Sequence, residues 1–346
     1  MELKVFTALL LLGLAYAAPP ARDPYHVTPI KKEYFSDKYV KYTGQHDIIN
    51  IVVPLNAINY NALNFKVEDS NASDENRHLT VFFTEVDVDA SGKRTYQGLY
   101  VLKDGVAKKI LENGRDATAA VDDKKTVYLA ASDGIYLYND EDQSVNKYGS
   151  LTDNIISIAI ASKGDVLYIL TEDNSVYKVT GNGNNKEKLE DIKNAEQIKL
   201  DNEDNLFFYT SDKEIYVRTS EGIKEIIGLP INFSKAVLVK PPIIADEGLA
   251  VVVDKALFVI NKKGGSVFYS IIFDSDAVPT GFGPEATIIH YYAFNKKIYE
   301  FNLIALLERS ELNELKKYLG TKADNIVNLA TEKRKNKELE VKQANI

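Results

Sequence analysis

The sequence has no cysteine in its 346 residues. That excludes thiol nucleophiles, cysteine-ligated zinc and iron–sulfur clusters. It also excludes disulfides, on which small secreted domains rely when their core is too small. A chain of this length buries enough surface to do without them. Histidine is scarce too. His26, His46, His78 and His290 are scattered, and an imidazole works as acid or base only beside a positioned partner. His290 sits inside a strand-like run and reads as a core or pocket-lining residue. H-E-x-x-H, G-x-S-x-G and the phosphate-binding P-loop are all missing. Past the first residues, no stretch is apolar for the ~20 residues that a bilayer span needs.

The apolar run that does occur lies at the start. Lys4 precedes "VFTALLLLGLA", and the small-residue triplet Ala15-Tyr16-Ala17 follows it. This is the layout of a secretory signal peptide over 1–17, and it predicts a soluble, secreted chain. The net charge is −8. An acidic surface argues against nucleic acid and against anionic membranes as partners. Residues 321–346 run the other way, with six Lys/Arg against four Asp/Glu; "EKRKNK" there reads as the solvated face of a helix. Asn71-Ala72-Ser73 and Asn232-Phe233-Ser234 are glycosylation acceptors in pattern, which suits secretion.

What the chain has in quantity is a repeat. "GLYVLKDG", "DGIYLYN", "NSVYKVT", "KEIYVRT", "KALFVIN" and "KKIYEFN" share a turn residue, an apolar residue, an aromatic and then alternation. Their aromatics are Tyr100, Tyr136, Tyr177, Tyr216, Phe258 and Tyr299, spaced by 36, 41, 39, 42 and 41 residues. A strand-like run precedes each, and a short polar turn such as Glu172-Asp173-Asn174 joins the two. Every repeat has room for one strand before this hairpin and one after it. Four antiparallel strands per ~40 residues is the pattern of a β-propeller blade. Six repeats therefore predict an all-β, six-bladed propeller over 46–304, whose blades bury their faces against one another.

The ends sharpen this expectation. After Tyr299 an outer strand is lacking, and 305–346 reads instead as a C-terminal helical extension, with Thr321 capping its second helix. The first repeat has a spare strand upstream, "DIINIVVPLN" at 47–56, which is expected to supply the outer strand of the last blade and close the ring. Residues 18–45 read as an extended, proline-containing arm.

Candidate chemistry is sparse. "GFGP" at Gly281–Pro284 precedes a strand rather than opening a helix, so it lacks the mechanism of a dinucleotide loop. "DVDASG" at Asp87–Gly92 opens like a calcium loop, but Gly98 stands where the twelfth-position glutamate belongs. No metal and no cofactor is expected. The place for a ligand in a propeller is the central funnel, lined by the loops that lead into each innermost strand. Those loops offer Tyr60, Asn61, Arg115, Asp116, Asp153, Asn154, Asn194, Phe233, Thr280 and Phe282. A few convergent polar groups in a partly aromatic pocket suit a small, planar, polar organic molecule.

"DGIYLYN" and "GDVLYILTEDNSVYKVT" behind a signal peptide resemble the ommochrome-binding proteins of moth and butterfly haemolymph, over about residues 60–302. That family is similar to six-bladed propellers that include gluconolactonase-like enzymes. The resemblance implies a secreted, non-catalytic carrier of a small aromatic pigment, a tryptophan-derived phenoxazinone; a monomer is expected. The alternative is a lactonase-like hydrolase that holds a metal at the funnel centre, for which Asp153, Asn154 and Asp201 are candidate ligands.

Overall fold

The structure is a computed structural model and describes residues 27–54, 80–90, 92–120, 126–162, 166–240, 248–285 and 289–302. Two short strands come first, β1 (Thr28–Ile30) and β2 (Val40–Thr43). Six sheets follow. Blade one is β3 (Asp47–Val52), β4 (Val81–Val88), β5 (Arg94–Lys103) and β6 (Val106–Leu111). Blade two is β7 (Gly114–Ala119), β8 (Val127–Ala131), β9 (Gly134–Asn139) and β10 (Ser144–Lys147). Blade three is β11 (Ile155–Ile160), β12 (Leu167–Thr171), β13 (Val176–Thr180) and β14 (Asn185–Lys188). Blade four is β15 (Ala195–Leu200), β16 (Leu206–Thr210), β17 (Ile215–Thr219) and β18 (Gly222–Glu225). Blade five is β19 (Ala236–Val239), β20 (Leu249–Val253), β21 (Ala256–Ile260) and β22 (Ser266–Phe273), with β1 added in parallel at its outer edge. Blade six is β23 (Gly281–Glu285), β24 (Ile289–Phe294) and β25 (Lys297–Asn302), completed by β2. The fold is an all-β six-bladed propeller.

The ring closes through the N-terminus, but not through the segment the sequence suggested. The strand that pairs with β25 is β2, in antiparallel register with Val40 opposite Tyr299. The expected closing segment instead begins with β3, the innermost strand of blade one. The reason lies in its burial: Ile48, Ile49 and Ile51 are all buried, which suits a strand at the crowded axis and not one at the rim. Within 18–45, read as an arm, Thr28–Ile30 and Val40–Thr43 are thus blade-edge strands, with two short 3-10 turns between them. The expected helical extension and the signal peptide lie outside the described residues, as do Tyr60, Asn61 and Asn71.

Burial explains why the sheets pack as blades. β8 and β16 are buried along their whole length, with aliphatic and aromatic side chains on both faces. A strand buried on both sides needs a sheet against each of them. Phe82, Leu99, Val101, Leu129 and Tyr138 fill the gap between blades one and two. Ile135, Ile155, Ile158, Ile169 and Val179 fill the next. Each fully buried leucine or isoleucine of this kind contributes about 2 kcal/mol. Tyr177 packs on the blade two–three cluster and Tyr168 on the blade three–four cluster, both half-buried. The aligned tyrosines use their hydroxyls locally. Tyr136 donates to Asp133 Oδ2 at 2.8 Å and Tyr216 to Glu214 Oε2 at 2.5 Å. That bond, followed by burial, raises the Tyr216 pKa to about 12, so its proton stays in place. Lysines of the outer strands cover three of the rings: Lys109 over Tyr100, Lys147 over Tyr136 and Lys186 over Tyr177.

Polar side chains also stitch the inner strands together. Thr280 Oγ1 donates to Ile48 O at 2.6 Å, from blade six to blade one. Asn50 Nδ2 and Thr84 Oγ1 both donate to Arg115 O, from blade one to blade two. Asp116 accepts from Ser157 Oγ at 2.8 Å and Ile158 N at 3.0 Å, joining blades two and three. Gln197 donates to Ala236 O at 2.8 Å and accepts from Leu238 N at 3.1 Å, joining four and five.

Candidate functional site

The inner strands β3, β7, β11, β15, β19 and β23 surround a central channel of about 610 Å³. Six strands converge there, and much of the wall is short or aliphatic. Ala117, Ala119, Ile158, Ala159, Val237 and Gly281 are typical of the wall. Two glycines of β23 make room for the neighbouring blade. A Cβ on Gly283 would stand 2.4 Å from Ile51 Cγ2, and one on Gly281 would stand 3.3 Å from Ile48 O. This is what "GFGP" does: it lets blade six approach blade one.

The inner strands begin at one mouth and end at the other. The hairpin turns between second and third strands lie at the first mouth. Ser234 and Lys235 precede β19 there, Glu196 lies at the start of β15, and Ser211 and Lys213 come from the β16–β17 turn. The β4–β5 hairpin is longer than its counterparts and contributes Val88, Gly92 and Arg94. Toward the far end the wall includes Lys199, Asn202 and Lys240. Lys199 Nζ stands 3.7 Å from Asp116 Oδ2, and Lys240 Nζ donates to Ala119 O at 3.2 Å. Crowding in the first mouth, and then Arg94 beside it, hold the Lys235 pKa below the ordinary lysine value; Asp47 acts in the opposite sense. Among the described residues, the aromatics of the channel wall are Tyr209 and Phe282. The Phe282 ring is fixed against Phe273 and Tyr292, at centroid distances of 6.2 and 5.8 Å. Among the described residues the channel wall also carries Arg94, Lys199, Lys213, Lys235 and Lys240.

The sequence-derived candidates separate into groups. Phe282 and Thr280 line the channel. Arg115, Asp153 and Asn154 gather around Glu172 instead. Arg115 Nη1 is 3.6 Å from Glu172 Oε2, and Asn154 Nδ2 donates to the same carboxylate. Asp153 pairs with Lys186, and it shares a shallow surface depression with Asn154, Glu172, Asp173 and Tyr177. The Arg115 guanidinium lies 4.8 Å from the Tyr96 ring centroid. Asn194 occupies a left-handed turn before β15, its amide 3.4 Å from Asp212. Phe233 is buried between blades four and five, where its ring meets Tyr209 at 6.1 Å. Packing, not the funnel, takes it, because an aromatic at the start of a blade covers the open end of the inter-blade core. Asn232 beside it is exposed in a left-handed turn.

The three proposed metal ligands do not meet. Asp153 and Asn154 precede β11 at the first mouth, whereas Asp201 follows β15 at the other end. Asp201 accepts from Asn205 N at 2.8 Å, Gly248 N at 2.8 Å and Asn205 Nδ2 at 2.9 Å, so it holds a turn. Among the described residues no group of three or more histidines and carboxylates comes together. Of the "DVDASG" stretch, Asp87 and Val88 end β4; Asp87 is bonded to His46 and Gln97, and Asp89 accepts from Lys93 N. His290 is buried in β24 next to the Tyr292 ring.

The channel residues that the sequence reading missed are Arg94, Lys199, Lys213, Lys235 and Lys240. A signal for one of them, Lys199, was present. "AEQIKL" interrupts an inner strand with Gln197 and Lys199, where its counterpart "IISIAI" is almost wholly apolar.

No protein family matches the chain, and no curated protein matches it. Solved structures do. One is a Bacteroides thetaiotaomicron protein of unknown function, 10% identical, with a TM-score of 0.49 over 75% of this chain and 70% of that one. Another is the virginiamycin B lyase of Staphylococcus aureus, 15% identical, with a TM-score of 0.43 over 67% of this chain and 92% of the lyase. A third is PorZ of Porphyromonas gingivalis, a surface component of the type-IX secretion system. It is 14% identical, with a TM-score of 0.45 over 66% of this chain and 30% of PorZ. The chain therefore spans less than a third of PorZ's length. The blade count rests on the sheets described above and not on these likenesses.

Proposed function

We propose that this protein is a secreted binding protein for a small, planar, polar organic molecule, held in the central channel, and that the ligand is of the ommochrome class. The observation that supports binding is the channel itself. At about 610 Å³ it is open to a ligand rather than filled by side chains, and it mixes aliphatic walls with convergent polar groups. The ommochrome reading is supported by the texture of the blade repeats behind a signal-like N-terminus. In this reading the chain is a monomeric carrier, Asn71 and Asn232 carry glycans, and 305–346 forms a helical tail. Asn232 lies two residues from Ser234 of the first mouth, so a glycan there would stand beside the route of entry.

The test is to purify the protein from its native source, record its visible absorption spectrum, and titrate the stripped protein with an ommochrome. A coloured protein, or saturable binding lost on blocking the channel, supports the proposal. A colourless protein that takes up no added ommochrome overturns the pigment reading.

A further inference from the structure

The chain carries a net charge of −8, yet its channel is lined by the opposite sign. Arg94, Lys199, Lys213, Lys235 and Lys240 face it, against the carboxylates of Asp47 and Glu196. Lys199 is partly neutralised by the buried Asp116. Arg94 and Lys235 are different. They come from separate blades, β5 of blade one and the approach to β19 of blade five, and meet across the same mouth. Among the described residues no salt bridge joins either to a carboxylate, though Arg94 bonds the Tyr96 hydroxyl and the Asp47 charge acts on Lys235. Burial first, and then the like charge of Arg94, lower the Lys235 pKa, while Asp47 raises it. A cleft with low-dielectric walls focuses such a field inward. An anion placed between two like charges is attracted by both and offsets their repulsion.

We propose that the channel recognises its ligand as an organic oxyanion, with Arg94 and Lys235 receiving the negative group at the first mouth and the ring system lying deeper along the aliphatic wall. The inference rests on the channel-binding reading and adds the ligand's charge to it. Lys213, on the neighbouring turn, adds to the same field. Thr280 Oγ1 is committed to Ile48 O, so it holds the wall and leaves the anion to the cations.

The test uses two fluorescent probes with one ring system, anilinonaphthalene sulfonate and its uncharged parent phenylnaphthylamine, on the full chain. Wild-type protein is expected to bind the sulfonate about tenfold or more tightly than the parent, a preference that shrinks as salt is added. The double variant R94Q/K235Q is expected to lose at least about tenfold for the sulfonate, while its affinity for the parent stays within about twofold. K188Q, on the exposed outer strand of blade three, is expected to change neither. Circular dichroism and the melting temperature show that each variant is folded. Equal affinity for both probes, or equal losses of both in R94Q/K235Q, overturns the anion inference and leaves channel binding standing. Failure of wild-type protein to bind either probe overturns channel binding, and the anion inference falls with it.

Discussion

At the scale of single residues, Asp116 shows how a buried charge is made tolerable. It is fully buried, yet it accepts from Ala117 N, Ser157 Oγ and Ile158 N, and Lys199 stands 3.7 Å away. Replacing it by alanine strands the Ile158 amide and leaves Lys199 without its counter-charge. Asp116→Ala is therefore expected to cost roughly 3–5 kcal/mol in urea unfolding, and a loss below about 1 kcal/mol would refute this account. Asp173 answers a different question, that of pH. Its carboxylate accepts from the Thr171 and Ser175 hydroxyls and the Ser175 amide, and the Thr171 bond does most to lower its pKa. A carboxyl whose folded pKa lies below its unfolded one adds stability above the unfolded value, and that stability is lost as the pH falls through the folded one. The urea midpoint should therefore hold steady near neutrality and drop below about pH 4, with a smaller drop in Asp173→Asn. Identical acid profiles for the two proteins would count against it. The channel's cations mark the limit of legibility at this scale. Arg94 and Lys235 are 141 positions apart in the chain, and only the meeting of blades one and five gives them a shared purpose. Arg115 and Phe233 were legible as residues beside inner strands. Which way their side chains turn is decided by Glu172 and by Tyr209, partners that spacing alone does not reveal.

At the scale of elements, the hairpins were the legible part. Alternation, aligned aromatics and polar turns place the second and third strands of every blade, because each is a local structure that carries its own turn. Inner and outer strands were harder. An outer strand such as β14 is exposed throughout and lacks apolar periodicity. The segment at 47–56 carried the right pattern for a strand, but pattern does not say whether a strand lies at the axis or the rim. Its neighbour β23 shows what the axis demands. Gly283→Ala would drive a methyl into Ile51 and is expected to cost about 2 kcal/mol. The same substitution in an Ile51→Ala background should cost less, since the clashing Cγ2 is gone; a strictly additive double variant would show that the contact is not the cause.

At the scale of the whole molecule, closure dominates. Blade six owes three strands to the C-terminal part of the repeat region and one to residues 40–43. A chain that begins at residue 46 lacks β1 and β2. Against a chain beginning at residue 27, it is expected to melt at least roughly 10 °C lower and to be cut first by protease within blades five and six. A synthetic peptide covering 27–45 should restore much of the loss in trans. An unchanged melting temperature would mean that the ring does not depend on this pairing.

The Val40–Tyr299 pairing also sets an order of events during synthesis. β2 leaves the ribosome well before β25, its partner, because the strands β3 to β24 lie between them in the chain. For most of translation β2 is therefore an unpaired edge, and such edges recruit strands from neighbouring chains. Nascent chains made close together are thus able to trade this strand. Crowded expression should raise the share of exchanged dimers, each of whose rings is completed by the N-terminus of the other copy.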